Sequence, residues 1–177
     1  MQIIPMSKEH VSSVLAIDAE CFGKPVLRKT IEKQIRKAKG GSFWASVAVD
    51  GDDVLGYSIA EEVDGDSISI ISICVAEFAR RKGVGTELVE HLYNGLRDAK
   101  CVALTALAEQ SRIDAQLFLS NVGFYSRSTT TIGDMTAYRF RRTVPFDDLA
   151  DLHLVALAAE LKHSRLVEVE DEDAFEE

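Results

Sequence analysis

The spacing of apolar and polar residues changes period several times along the chain, and each change marks an element. Over "SKEHVSSVLAIDAECF", Val11, Val14, Leu15 and Phe22 recur near a helical repeat behind Ser7, a residue suited to cap a helix, so a first helix is predicted there. A second is predicted over about 28 to 39, stopped by Gly40-Gly41. The period then falls to two. "SFWASVAVD" and "VLGYSIAEE" are strand-like runs joined by "GDD", a hairpin signal, and "SISIISICVA" over 67–76 alternates Ser with Ile as a strand does. Helical spacing returns at Val84, Leu88, Leu92 and Leu96. "CVALTALA" reads as a buried strand, "SRIDAQLFLSNVGF" as a helix ended by Gly123, and "TAYRFRR" as a last strand. After Pro145, "FDDLADLHLVALAAELKH" predicts one more amphipathic helix, with Asp147 and Asp148 in its first turn and Lys162 and His163 near its end, as the macrodipole favours.

Helices, an antiparallel meander, then strand, helix, strand, helix, strand make an α+β (mixed α/β) domain rather than a doubly wound sheet. No repeat or linker interrupts the pattern, which divides the chain into a domain over 1–142, a helical extension over 143–165 and a tail over 166–177. Charge sharpens that division. The net charge is −9, yet residues 1–142 balance at 18 basic and 18 acidic side chains, while 143–177 hold 2 against 11. The end, "LVEVEDEDAFEE", is a like-charge block expected to stay disordered. Residues 24–39 carry seven basic side chains against the single acid Glu32, either as a solvated face or as a surface that the tail screens or that steers an acidic substrate.

Several function classes are not expected. The neutral body and the lack of aromatic residues among the basic ones argue against nucleic acid. No apolar run approaches the roughly 18 residues of a membrane span, and the first ten residues lack the apolar core of a secretion signal, so a cytoplasmic protein is expected. Cys21, Cys74 and Cys101 have no C-x-x-C spacing and an odd total, which predicts no disulfide framework, no metal site and three inert core thiols. The histidines, His10, His91, His153 and His163, all fall on predicted helices, as surface or helix-end residues.

The most informative stretch is "VAEFARRKGVGTELVEHL", where Arg80, Arg81, Lys82, Gly83, Val84 and Gly85 stand between a strand and a helix. A helix N-terminus leaves N–H groups without partners and carries partial positive charge, so an anion there is stabilised twice. Glycines let the backbone approach it, and Arg81 and Lys82 add full charges, a combination suited to a pyrophosphate. "GVGTEL" lacks the third glycine of a dinucleotide fingerprint, and no G-x-x-x-x-G-K-[ST] occurs.

In this setting, with "LFLSNVGF" some 30 residues later, the sequence resembles the GNAT acyltransferase superfamily, whose acyl-CoA site uses [Q/R]-x-x-G-x-[G/A]. It is most similar to the bacterial alanine N-acetyltransferases that modify a ribosomal protein's N-terminus, on "IDAECF", "VLGYSIAEE", "ISICVAEFARRKGVGTELVEHL", "LFLSNVGF" and "DMTAYRF", over roughly residues 3–142. The resemblance implies a central, mostly antiparallel twisted sheet flanked by helices, with acetyl-CoA as acyl donor. It implies that the backbone of Ile73, Cys74 and Val75 pairs with the pantetheine arm. The N–H groups of Arg81, Lys82, Gly83, Val84, Gly85 and Thr86 would then hold the pyrophosphate, with Arg80 at the Q/R position. Three positions depart from the family's pattern: Leu119 stands where relatives place an acidic tyrosine, Arg112 where they place an asparagine, and Leu107 where they place a glutamate.

The candidate substitutes for the missing acid and base are Glu109, Tyr125 and Tyr138, with Glu61 or Glu62 able to face the acceptor channel. A lysine acceptor near pKa 10.4 needs about 4.6 kcal/mol to lose its proton at pH 7, and an α-amine near 7.8 only about 1. A weak base therefore suits an α-amine or another acceptor of low pKa, and a small-molecule or protein amine is the expected partner. Two other readings stand beside the N-acetyltransferase. One is an acyl-CoA-binding or protein-interaction module of the same fold; the other is an interaction helix at the C-terminus, with Leu149, Leu152, Val155, Ala156 and Ala159 near one face of a monomer or homodimer.

Overall fold

In a computed structural model, residues 1–23, 26–96 and 98–144 are described. The chain divides into Met1–Thr143 and Val144–Glu177. The helix expected over 143–165 and the tail over 166–177 fall outside the described residues but for Thr143 and Val144.

The first unit is one seven-stranded sheet in the order β1-β2-β3-β4-β5-β7-β6, with four α-helices. Its strands are β1 Gln2–Pro5, β2 Phe43–Asp50, β3 Asp53–Val63, β4 Ser67–Val75, β5 Ala103–Glu109, β6 Tyr125–Ile132 and β7 Met135–Thr143. Helices α1 Val11–Phe22 and α2 Arg28–Lys37 precede the β2–β4 meander, α3 Val84–Asn94 joins β4 to β5, and α4 Ile113–Asn121 joins β5 to β6. Every strand pair is antiparallel except β4 with β5. That exception is forced, because a parallel neighbour needs a crossover and α3 supplies it.

The helix faces follow from sequence. Helix α1 buries Val11, Val14 and Ile17, and ends where Gly23 turns left-handed at φ 74° and donates to the Ala19 carbonyl. Helix α2 buries only Ile31 and Ile35, which leaves its basic residues outward. It stops at Lys37, and a 3₁₀ turn over Ala38–Gly40 takes up the rest of the predicted span. Helix α3 buries Val84, Leu88, Val89 and Leu92.

Two strands were not anticipated from the pattern. Strand β1 is four residues long, too short to show a period, and β6, "YSRSTTTI", is polar and exposed on both faces, so no alternation marks it. It is an edge strand held by β7 alone.

Candidate functional site

Strands β4 and β5 pair only over Ser67–Ile70 and Ala103–Ala106. Beyond that point β4 stays on β3 through Val75 while β5 stays on β7 through Glu109, and the two part. The parting coincides with a register shift at Ile59/Ala60, where β4 carries Ile71 as an extra residue, and such a bulge bends its strand. Among the described residues, no strand covers the β4 edge over Ile71–Val75.

Backbone alternation decides which groups that edge offers. The N–H of Ala76 donates to the Leu55 carbonyl just past the β3 pairing, so with a period of two the groups of Cys74 also face β3, and those of Ile73 and Val75 face the gap. This corrects the expectation for Cys74, whose backbone belongs to the sheet ladder. Strands β3 and β4 are close here: a Cβ on Gly56 would stand 2.7 Å from the Cys74 carbonyl oxygen.

The free edge runs directly into the basic turn. Arg80 is extended, Arg81 is left-handed at φ 62°, and Gly83, the residue before α3, is left-handed at φ 84°. Successive turns of this kind aim backbone N–H groups outward in a concave nest. Arg81, Lys82, Gly83 and Thr86 are exposed, whereas Val84 buries its side chain and can offer only its N–H. The Arg80 side chain is committed elsewhere. Its Nε donates to the Val75 carbonyl at 3.1 Å and its Nη2 lies 3.7 Å from Cys21 Sγ, so it ties the turn to the β4 edge. Gly85 has a packing reason to be glycine as well, because a Cβ there would meet the Phe118 ring of α4 at 3.0 Å.

The opposite lip of the gap is the end of β5. Glu109 is half-buried, accepts from Ser111 Oγ at 3.4 Å, and borders an open depression of about 380 Å³ with Gln110, Ser111, Met135 and Thr136. Tyr138 pairs with Ala108 on β7, one strand away from the gap and on the sheet face opposite to Glu109. Tyr125 pairs with Arg141, two strands away and roughly 13 Å along the sheet from the Glu109 level. It is exposed, and its hydroxyl is held below the usual tyrosine range chiefly by Arg127. The structure thus brings Glu109 to the gap, leaves Tyr138 one strand behind it and does not bring Tyr125 there. Leu119 is buried, with 4% of its surface exposed, at the position where the family resemblance places an acid.

Two residues matter more than sequence reasoning indicated. Arg112, just before α4, donates from Nη1 to the Cys21 carbonyl at 3.4 Å, lies 5.8 Å from the Phe22 ring centre, and pairs with Asp114, whose carboxyl it holds below its usual range. It spans from the loop after β5 to the end of α1. Cys21 is not a fully buried core thiol. It is half-buried at the end of α1, its Sγ 3.8 Å from the Val75 carbonyl, and its pKa is lowered to about 6, first by a hydrogen bond from Cys74 and then by Arg80. Cys101 does fit the expectation, being buried with its thiol pushed up to about 11 by burial. No signal in the sequence marks Cys21, since its contacts to Val75 and Arg80, more than 50 positions away, form only on folding.

A gap between diverging strands, with an unpaired strand edge leading to a cationic helix N-terminus, fits an elongated donor with a phosphate at one end. Comparisons with known proteins agree with that geometry. Residues 11–124 match the model of the Acetyltransferase (GNAT) family. No curated protein sequence matches the chain. Among solved structures, Ard1 from Thermoplasma volcanium is similar at 20% identity and a TM-score of 0.70, over 81% of this chain and 97% of that one. The ribosomal-protein-S18-alanine N-acetyltransferase from Escherichia coli is similar at 18% identity and 0.68, over 82% and 94%. The structure of yncA from Salmonella typhimurium with its cofactor acetyl-CoA is similar at 15% and 0.68, over 82% and 94%. At these identities the structures show the fold, and the family match, which spans the gap, the basic turn and α4, shows that this chain belongs to the GNAT acetyltransferase family.

Proposed function

We propose that the chain transfers an acetyl group from acetyl-CoA to a primary amine by direct attack on the thioester, with a protein or peptide α-amine as acceptor. The observation that carries the reading is the parting of β4 from β5, which leaves the backbone of Ile73 and the N–H of Val75 facing the gap beside the basic turn, while the Val75 carbonyl is held by Arg80. Acetyl-CoA supplies the activated acetyl thioester. Arg81, Lys82 and the N–H groups of Gly83, Val84, Gly85 and Thr86 would hold its diphosphate, Ile73 and Val75 would align its arm as an added strand does, and the N–H of Val75 suits a developing negative oxygen.

Glu109, at the end of β5, would accept the proton that an amine entering from the depression it borders must lose; its half-buried carboxylate beside that depression supports the reading. Alignment of the reacting groups is worth roughly 7–11 kcal/mol, whereas a general base contributes about 10² to 10⁴ in rate, so the absence of an acid at Leu119 slows such a site without disabling it. The economy favours an acceptor that deprotonates readily, which is the argument for an α-amine. The E. coli relative, named for an alanine of a ribosomal protein, points the same way.

One observation favours a second reading. Leu119 is buried and apolar, which also suits a module that holds acyl-CoA without turnover. Isothermal titration with acetyl-CoA, followed by a thiol-release assay across peptides with different first residues, separates the two. Acceptor-dependent release of CoA supports the transferase, binding without release supports the module, and absence of binding overturns both.

A further inference from the structure

Strands β5, β7 and β6 share an open, basic face that begins at Glu109 and that holding acetyl-CoA does not use. Along β5, Leu104, Ala106 and Ala108 are buried, while Thr105, Leu107 and Glu109 alternate onto the other face, where Leu107 is 48% exposed. Register carries that face outward. Arg139 stands directly opposite Leu107, Arg141 opposite Thr105, and Tyr125 of β6 opposite Arg141. The Arg127 guanidinium lies 5.6 Å from the Tyr125 ring centre and adds a third cation on this side. Arg127 and Arg139 are exposed, and Arg141 is half-buried with its Nη1 donating to Ser67 Oγ at 3.3 Å. Among the described residues none of the three forms an ion pair, and Glu109 is the one carboxylate in the three strands. Leu107 adds to the imbalance, because a carboxylate in its place would neutralise Arg139 across the strand pair.

We propose that this face selects the acceptor, and that it takes a polypeptide with acidic side chains shortly behind its amino terminus. The inference rests on the acetyl-transfer reading above and names the class of its substrate. Spacing along the sheet carries it. Glu109 lies two residues beyond Leu107 and four beyond Thr105, so Arg139 stands roughly 7 Å and Arg141 roughly 13 Å along the sheet from the Glu109 level. An extended acceptor rises about 3.3 Å per residue and turns alternate side chains to one side. With its amine in the depression beside Glu109 and its chain trailing over the open face along β5, its third and fifth residues come over Arg139 and Arg141. Two arginines two residues apart thus meet two carboxylates two residues apart. Complementarity of this kind fixes the register of the acceptor and disfavours a basic one.

The test is steady-state acetylation by the full-length chain of peptides that differ only at residue three or only at residue five, where each carries Glu, Gln or Lys. Glu is expected to lower KM up to about fivefold against Gln at either position, the scale of an exposed ion pair, and Lys to raise it, with kcat little changed. Added salt should narrow both differences. Arg139→Glu is expected to reverse the ranking of Glu and Lys at residue three, a result that loss of fold cannot imitate, and Arg141→Gln to erase the ranking at residue five. Peptides acetylated with equal KM overturn this inference and leave the transferase reading standing. So does a preference for Glu at residue three that Arg139→Glu leaves unchanged. Release of CoA with no peptide at all overturns the peptide-acceptor reading and this inference with it.

Discussion

Arg80 Nε and the Val75 carbonyl are joined across 3.1 Å, and this bond ties the basic turn before α3 to the stretch of β4 that, among the described residues, no strand covers. Arg80 thus positions the turn, while Arg81 and Lys82 supply its outward charge. Replacing Arg80 by Ala is expected to weaken acetyl-CoA binding roughly tenfold, the order of a lost hydrogen bond to a charged group. Arg80→Lys keeps the charge without the fork, so it should recover only part of the affinity. Titration calorimetry on both variants decides this, and a fully active Arg80→Lys would mean that charge alone matters.

Gly85 and Gly83 are expected to resist substitution for different reasons. A Cβ on Gly83 meets nothing within 4 Å, so Gly83→Ala is strained only by its φ of 84°, at a cost of about 1–2 kcal/mol. Gly85→Ala instead presses on Phe118, and Phe118→Leu should relieve it. Thermal melting of the single and double variants reads the packing, and acetyl-CoA titration reads the site. If the double variant recovers its melting temperature and still fails to bind, Gly85 is needed for close approach of the donor as well.

Gly56 shows how tightly β3 and β4 must fit for the edge to form. An added Cβ would stand 2.7 Å from the Cys74 carbonyl and 3.3 Å from both Val75 Cα and Val84 Cγ1. Two of those three atoms are backbone and cannot swing away. Gly56→Ala is expected to cost about 1–3 kcal/mol, as overpacking usually does. At roughly 2–4 °C per kcal/mol for a chain of this size, calorimetry should show the loss readily. An unchanged melting temperature would show that the two strands can separate without strain.

These contacts mark the limits of what the sequence discloses. The Ser/Ile alternation over 67–76 and the spacing of Val84, Leu88 and Leu92 are local, so β4, α3 and the turn between them were legible. Strand β6 was not, because a polar edge strand buries neither face. The site divides in the same way. The turn's charges and glycines lie together in sequence, whereas the meeting of Cys21 with Val75, of Arg112 with Cys21, and of Gly85 with Phe118 depends on how α1 and α4 close over the sheet. The choice among Glu109, Tyr125 and Tyr138 also required the register of β5, β7 and β6, since all three residues stand near strand ends in sequence.

That register gives a prediction for the acid and base. Glu109→Gln is expected to lower kcat by about 10² to 10⁴ with little change in acetyl-CoA affinity, the signature of a lost general base. Tyr125→Phe should leave kcat within a factor of two or so, since Tyr125 sits two strands from the gap. Steady-state kinetics with a peptide acceptor measures both. A large loss in Tyr125→Phe with a normal Glu109→Gln would place the chemistry at the other end of β5.

The lowered pKa of Cys21 makes the last prediction one of pH. The groups acting on its sulfur are Cys74 from β4, Arg80 from the basic turn and the Arg112 guanidinium from the start of α4, with Tyr57 and Asp18 behind Cys74. An acid whose pKa falls on folding, from 9.0 to about 6, is ionised over pH 6–9 in the folded chain and protonated there in the unfolded one. Any stability drawn from that thiolate is therefore present above the unfolded value and lost as pH falls through about 6. Iodoacetamide labelling at one thiol should accordingly rise with a midpoint near pH 6, while Cys74 and Cys101 stay slow, both being buried and pushed upward. Arg80→Ala and Cys74→Ser should each move the midpoint toward that of an ordinary thiol, because each removes a group that favours the thiolate. A wild-type midpoint at the unshifted value of 9.0 would mean that neither partner stabilises charge on Cys21 in solution.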